Sequence, residues 1–187
     1  ELLINGVAVK LKGVNRHENN IHTGTSSEEN AFVGLFGYIY GGTVVKNVIV
    51  EGDITITLTE SSLYDTVYAG GVVGYPYGSG LARVENCSSD VSITITNNKK
   101  SGVVHAGGIA GHAFSSTFVN TSSTGSVSAT GWSIKVGGLV GSHVGASGNT
   151  LSYITNCYAT GDVTGTTPEG NSYQVDTGGL VGFSQLT

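Results

Sequence analysis

Hydrophobic and polar residues alternate along several short stretches of this chain. Residues 53–59 read DITITLT, with apolar side chains at every second position and hydroxyl side chains between them, and residues 90–96 repeat the pattern. A period of two places successive side chains on opposite faces of a β-strand. We therefore predict half-buried strands, with Ile54, Ile56 and Leu58 on the buried face.

A four-residue motif that begins and ends with glycine recurs five times among these strands, and we call it the glycine phrase. Intervals of 37, 37, 30 and 41 residues separate its consecutive final glycines, and such a period indicates stacked repeats. We predict an all-β fold, a parallel β-helix or solenoid of about five repeats, in a single domain over residues 1–187 that is a segment of a larger protein. Residues 1–30 then form an opening coil or cap, and residues 31–187 form the repeats. The phrase occurs at Gly34–Gly37, Gly71–Gly74, Gly108–Gly111, Gly138–Gly141 and Gly179–Gly182.

Two kinds of residue are expected to shape each coil. Glycine tolerates positive φ angles and close backbone approach, so the glycine phrases are predicted to be corners. Asparagine recurs at positions 47, 86, 120 and 156, where stacked amides can form a hydrogen-bonded ladder between coils.

The two cysteines each follow one of these asparagines, in coils two apart. Equivalent Cα atoms two coils apart lie ~9.6 Å from each other, beyond the ~7 Å limit for a disulfide. We therefore predict that Cys87 and Cys157 are free thiols that face inward.

The amino-acid composition argues against several classes of binding partner. The net charge is −5 with only eight Lys and Arg residues, so nucleic acid and anionic membrane surfaces are disfavoured as partners. No stretch approaches 18 consecutive apolar residues, which argues against membrane insertion, and the first residues lack the pattern of a signal peptide, which is absent or was removed.

The repeats resemble the GLUG motif of bacterial cell-surface proteins. The resemblance rests on Val136–Gly141 followed by Ile154–Val163 in the fourth copy, and the second copy is also similar; the first and third copies replace Asn-Cys by Asn47-Val48 and Asn120-Thr121. It covers residues 31–187. The resemblance implies a right-handed β-solenoid at the bacterial cell surface and brings no catalytic residues with it.

The first twenty residues are similar to a different family. Residues 4–20 resemble the segment that opens the catalytic barrel of β-galactosidase-type glycoside hydrolases, in which the residue matching His17 helps to bind sugar. The catalytic carboxylates of that family lie on later strands, and glycine repeats stand in their place here. Alternatively, Val9, Leu11 and Val14 form an apolar edge strand that begins the solenoid.

Few residues suggest catalysis or metal binding. Asp53 and Asp90 each lie 16 residues after a phrase-ending glycine, so we expect them in one column, where a carboxylate pair can serve as a catalytic dyad or calcium site; a turn role is the simpler alternative. The five histidines match no metal-binding spacing. We therefore expect no catalytic residues, no metal and no cofactor.

An aromatic ridge is the best candidate for a ligand-binding site. Residues one and three positions after each phrase share a side of an extended segment. Tyrosine combines an apolar ring face with a hydroxyl group, which suits sugars and protein partners, although the rings can instead simply close a corner of the solenoid. The candidate ligand-binding residues are Tyr38, Tyr40, Tyr75, Tyr77, His112 and Phe114.

The sequence thus favours a non-catalytic, adhesin-like module outside the cell. Its expected partners are a glycan or a host or cell-surface protein, together with further repeats of the same parent protein. The alternative from another class is a carbohydrate-active β-helix enzyme, or the remnant of a glycoside hydrolase. Outward threonine rows also suggest ice binding, although only two coils carry them.

Overall fold

A computed structural model describes residues 7–16, 30–60, 65–145, 152–168 and 174–186 of the chain. These residues form nineteen strands, β1 to β19, and contain no helix. All strand pairs are parallel, and the strands stack into three sheets, which we call A, B and C. The predicted β-solenoid is confirmed, with about four turns.

Successive coils add one or two strands to each sheet in turn. Sheet A consists of β1 (Val7–Arg16), β5 (Val48–Leu58), β8 (Ser88–Asn97), β11 (Ser122–Ser123), β12 (Val127–Thr130), β16 (Tyr158–Ala159) and β17 (Val163–Thr166). Sheet B consists of β2 (Asn30–Val33), β6 (Thr66–Gly70), β9 (Val103–Gly107), β13 (Ser133–Gly137) and β18 (Val175–Gly178). Sheet C consists of β3 (Phe36–Tyr40), β4 (Val44–Lys46), β7 (Val73–Glu85), β10 (Ala110–Val119), β14 (Val140–Gly145), β15 (Ile154–Thr155) and β19 (Val181–Leu186).

The chain runs through sheets B, C and A in turn and then begins the next level. We number the levels one to five, from β2 in the first to β18 in the fifth. Residues in equivalent positions stack in columns because every pairing is parallel, as in Ile54↔Ile93 and Val127↔Ile93. The predicted period of two is confirmed, since Ile54, Ile56 and Leu58 are buried and the threonines between them are exposed.

Side-chain volumes in the core are complementary between sheets A and B. One inward column of sheet A shrinks along the axis while its counterpart in sheet B grows, so that each level stays filled. A Cβ added to Gly165 would lie 2.7 Å from Thr177 Oγ1, 3.1 Å from Val175 Cγ1 and 3.7 Å from Ile134 Cγ2, so side chains of sheet B fill the space beside the glycine. The two columns are Ile56, Ile95, Ala129 and Gly165 in sheet A, and Ala31, Val67, Val104 and Ile134 in sheet B.

The glycine phrases form the corner between sheets B and C, as predicted, but the physical reason differs from the one expected. None of the described phrase glycines has a positive φ angle. A Cβ at Gly141 would lie 2.5 Å from the Gly111 carbonyl oxygen and 2.6 Å from the Ala106 nitrogen. Glycine is therefore required there because backbones of neighbouring levels approach too closely for any side chain.

The asparagines form the corner between sheets C and A, and here φ is positive. Its values are 59°, 51°, 53° and 53° at Asn47, Asn86, Asn120 and Asn156. Asn86 Nδ2 donates to Asn47 Oδ1 at 3.4 Å, and Asn120 Nδ2 donates to Asn86 Oδ1 at 3.1 Å. The predicted ladder is confirmed over these three levels.

Both cysteines are free thiols, as predicted. Cys87 is buried, whereas Cys157, in the last described level of sheet A, is only partly buried. Thr121 lies in the level between them and its Oγ1 is 3.1 Å from Cys157 Sγ. Burial raises the pKa of the Cys87 thiol, so its reactive thiolate form is suppressed.

The opening segment supplies the first strand of sheet A. β1 pairs in parallel with β5, from Val7↔Val48 to Arg16↔Ile56, which confirms the predicted edge strand. His17 and most of the expected long loop from Gly145 to Ser152 lie outside the described residues.

The predicted pairing of Asp53 with Asp90 is wrong. Asp53 is opposite Ser92, and the neighbour of Asp90 is Glu51. The error came from counting from the glycine phrase, because β7 contains two more residues between its glycine and asparagine corners than the first level does. Counted from the asparagines, Glu51 and Asp90 are equivalent.

Candidate functional site

The outer faces of sheets B and C face each other across the glycine corner. Val72, Ile109 and Leu139 at this corner are fully buried, so its apex points into the core. Rings that project outward from the two sheets meet on the other side, as in the pair Tyr68 and Tyr75, whose centroids are 5.1 Å apart. We call the resulting groove the aromatic cleft. Its rings are Phe32, Tyr38, Tyr40, Tyr68, Tyr75, Tyr77, His105, His112 and Phe114.

The wall formed by sheet C is the aromatic ridge expected from the sequence. Tyr38 pairs with Tyr75 and Tyr40 with Tyr77 in the strand register, and Phe114 continues the second row. The rings of Tyr40 and Tyr77 stack at 5.7 Å and those of Tyr77 and Phe114 at 5.0 Å. The structure thus brings together all six predicted site residues; the sixth, His112, lies 4.8 Å from the ring of Tyr75.

The wall formed by sheet B was missed from the sequence. Phe32, Tyr68 and His105 form a column that continues with Lys135 and Asp176. Each lies two residues before the first glycine of its corner, so a signal was present in the repeat. The repeat alone does not place this column in the site, because only the bend of the corner brings the column against the ridge.

The cleft is more exposed at its first level than at its third. Tyr38 is 46% exposed and Tyr40 is 57% exposed, whereas His105 retains only 6%. Burial raises the pKa of Tyr75 and, to a lesser degree, that of Tyr38, because neighbouring rings exclude water from the hydroxyl groups. The rings at the open end are therefore both accessible and held in place by their neighbours.

The two cleft histidines are neutral at physiological pH. Burial lowers the pKa of His112 to about 4 and that of His105 well below its usual value. The positive charge of nearby Lys135 lowers both pKa values further, because it disfavours the protonated form of each imidazole. Their rings pack edge to face with centroids 4.9 Å apart.

Beyond the histidines, the cleft changes character. Ser142 replaces the aromatic residue in the sheet C column and is fully buried. Lys135 reaches across from sheet B, and its Nζ lies 4.4 Å from the centroid of the Phe183 ring. The cleft therefore has an aromatic half at levels one and two and a more polar half at levels three to five, where histidine, serine and lysine side chains accompany the rings of Phe114 and Phe183.

A second surface feature lies on the outer face of sheet A. An open groove of about 400 Å³ runs across four levels, from exposed Ile49 at one end to exposed Tyr158 at the other. Small serines form its floor, and Glu51 and Asp90 lie side by side along it, with Asp90 accepting a hydrogen bond of 2.9 Å from Thr124. The sequence reasoning missed this groove because it depends on the register between levels.

The described residues contain neither a metal-binding cluster nor a candidate membrane-spanning helix. No group of three or more His, Cys, Asp or Glu side chains in the described ranges is arranged to hold a metal ion. Within the same part of the chain, no helix has the length and apolar character needed to cross a membrane.

The fold and its columns define a β-solenoid built from stacked repeats. Residues 65–96 match the family model of the GLUG motif, and this range is one turn, from β6 through the glycine and asparagine corners to the end of β8. The match falls on the second copy and does not extend to the fourth. Comparisons with curated proteins and with solved structures give no match.

The expected resemblance of the first twenty residues to glycoside hydrolases finds no support in these comparisons. The family match lies elsewhere in the chain, and β1 serves as a strand of sheet A. A structural repeat module agrees with both the motif and the fold.

Proposed function

We propose that this chain is a non-catalytic module of an extracellular, adhesin-like protein of the bacterial cell surface, and that it binds glycan through the aromatic cleft. The observation that carries the proposal is the pair of exposed rings, Tyr38 and Tyr40, at the open end of a continuous row of packed aromatics. A protein of a host or neighbouring cell is the alternative partner for the same rings.

The geometry favours binding at this end for two reasons. Contiguous exposed aromatic surface is uncommon on proteins that make no contacts, and tyrosine faces offer apolar area beside a hydroxyl group. Tyr38 contacts Phe32 and Tyr75, and Tyr40 stacks on Tyr77, so these rings lose little conformational freedom when a ligand arrives.

A glycan array with the purified chain tests the proposal. The double change Tyr38→Ala and Tyr40→Ala should lower binding at least tenfold, since each stacked ring contributes of order 1 kcal/mol or more. The matched control is Tyr158→Ala, which removes a tyrosine of 57% exposure from sheet A. Binding that survives the double change, or falls equally in the control, would contradict a site in the aromatic cleft.

The groove on sheet A supports a second candidate, a carbohydrate-active enzyme. Glycoside hydrolysis requires two carboxylates about 5 to 9.5 Å apart, and Glu51 and Asp90 lie on adjacent strands spaced by about 4.8 Å. Release of reducing sugar from plant and host polysaccharides, abolished by Glu51→Gln or Asp90→Asn and unchanged by Asp53→Asn, would establish this activity. If no polysaccharide is cleaved by the unaltered chain, the enzymatic alternative is rejected.

A further inference from the structure

Three buried polar atoms in the polar half of the cleft have no hydrogen-bond partner. They are Nδ1 of His105, Nδ1 of His112 and Oγ of Ser142. An unpaired buried polar atom is destabilising, so a cluster of three calls for a partner that completes their hydrogen bonds. His143 provides a contrast within the same protein, because its Nε2 lies 3.1 Å from the Ser116 carbonyl oxygen and 2.7 Å from Ser152 Oγ.

The three atoms belong to one continuous patch. His112 and Ser142 are register partners on adjacent strands of sheet C, and His105 faces His112 across the cleft. Lys135 is the register partner of His105 in sheet B. Polar groups from two walls and two levels of the cleft are therefore neighbours.

Lys135 gives this patch a positive charge without a counterion. Its ammonium group lies over the Phe183 ring, and no ion pair joins it to a carboxylate among the described residues. The carboxylate nearest in the column is Asp176, whose Oδ2 accepts a hydrogen bond of 2.8 Å from Gln174. The lysine stem is flexible, so the ammonium group can swing from the ring toward a ligand.

The chemistry of the patch selects an anion over a metal ion. A lysine ammonium, a serine hydroxyl and imidazole N–H groups are the donors that bind carboxylate, sulfate or phosphate. A cation would be repelled by Lys135 and would find only two histidine ligands. We propose that His105, His112, Lys135 and Ser142 form an anion subsite, and that the glycan bound by the aromatic cleft carries an acidic group, a carboxylate or a sulfate, which occupies it.

This inference deepens the proposed glycan function and rests on it for the identity of the ligand. Sugar rings would stack at Tyr38 and Tyr40 while the acidic group reaches the third and fourth levels. A bound anion favours protonated histidine, and burial lowers the pKa of both histidines in the free protein. Binding should therefore tighten as the pH falls toward about 4, the pKa of His112 in the free protein.

The subsite itself is tested with inorganic sulfate, independently of any glycan. Sulfate is titrated into chain carrying ¹⁵N-labelled histidine, and the side-chain nitrogen signals are followed by NMR. We expect sulfate to shift the signals of His105 and His112 in a saturable way. The sulfate affinity should be at least tenfold weaker in Lys135→Gln. It should be unchanged in Lys100→Gln, which alters an exposed turn position. Absence of saturable shifts, or shifts equal in Lys135→Gln and Lys100→Gln, overturns the subsite.

Ser142→Ala provides a second variant that removes only one hydroxyl group. Its thermal melting curve should match that of the unaltered chain, and its sulfate affinity should fall severalfold. An unchanged affinity in this folded variant would remove Ser142 from the subsite and contradict the grouping of polar atoms on which the proposal depends.

The ligand class is tested on an array of matched glycans that differ only in a carboxylate or sulfate group. Acidic members should bind at least tenfold more tightly than their neutral counterparts, and Lys135→Gln should erase that preference. Equal binding of the acidic and neutral glycans would contradict the proposal of an acidic ligand. It would not contradict glycan binding at the aromatic cleft. If the unaltered chain binds no glycan on the array, the proposed function is contradicted. The sulfate titration then still shows whether the anion subsite exists.

Discussion

Two of the three corners in each coil, the glycine corner and the asparagine corner, bend the chain by different physical means. At the glycine corner the φ angles are ordinary, and glycine is needed because backbones of adjacent levels are in contact. At the asparagine corner φ is positive, and the side chain adds hydrogen bonds between levels. The comparison teaches that one corner is determined by tertiary packing and the other by local conformation, so they should respond differently to substitution.

Substitution at the glycine corner should reduce the stability of the fold most. Gly141→Ala places a Cβ 2.5–2.7 Å from backbone atoms of Gly111 and Ala106, which cannot move without separating two levels. We expect the free energy of unfolding to fall by about 4 kcal/mol or more and the melting temperature by about ten degrees. Calorimetry or urea unfolding measures both quantities.

The matched control for that change is Gly179→Ala. Gly179 opens the phrase of the fifth level, has no positive φ angle and has no atom within 4 Å of an added Cβ. Its replacement should change stability by less than about 0.5 kcal/mol. Equal losses in the two variants would show that close approach is not the reason for glycine.

Acidification should have the second largest effect on stability, through two histidines at the glycine corner. His105 and His112 line the cleft at this corner, and burial lowers the pKa of both. The unfolded chain then binds more protons than the folded one below pH 6.5, so stability is lost as the pH falls from about 6.5 toward 4. Between pH 7 and 5.5 we expect a loss of about 2 kcal/mol.

The double change His105→Gln and His112→Gln isolates this effect. Urea unfolding of the variant should show a much shallower pH dependence than that of the unaltered chain over the same range. A variant whose stability falls as steeply as before would assign the acid sensitivity to other groups.

The asparagine corner should tolerate change better. Asn120→Ala introduces a residue that disfavours positive φ and removes a ladder hydrogen bond, with an expected cost of about 1.5 kcal/mol. Asn120→Gly keeps the φ angle accessible and should cost about half as much. If urea midpoints of the two variants coincide, conformation is not what selects asparagine here.

The thiols that follow this corner offer the mildest probe, since labelling leaves the fold intact. Cys87 is buried and the pKa of its thiol is raised, whereas Cys157 is partly buried. Iodoacetamide should therefore label Cys157 in the native protein and Cys87 only on unfolding. Mass spectrometry with Cys157→Ser as the reference distinguishes the two sites, and native labelling of Cys87 would contradict its burial.

Much of the fold could be predicted because the repeat is local in sequence. Alternation identified the buried isoleucines, and recurrence identified the asparagine ladder and the separation of the cysteines. The pairing of Asp90 could not be predicted by counting from the glycines, since unequal strand lengths shift the register.

The site was predicted only in part for a related reason. The order of residues shows that Tyr38 and Tyr75 share a face, but it does not show which way a corner bends. Phe32, His105 and Lys135 join the cleft only because the apex points inward. Unpaired polar atoms such as Ser142 Oγ become visible only when burial is known.

Strand β7, which is longer than its counterpart in the first level, also indicates where a foreign peptide could be inserted. Between Tyr77 and Ala82 the chain contains four residues, whereas the next level has the single residue Ser115 at the same place, and the register is regained on both sides. Segments of different length are thus accommodated without disturbing neighbouring coils. An epitope grafted between residues 77 and 82 would be displayed beside the cleft at a fixed height along the axis, and several could be arrayed one level apart.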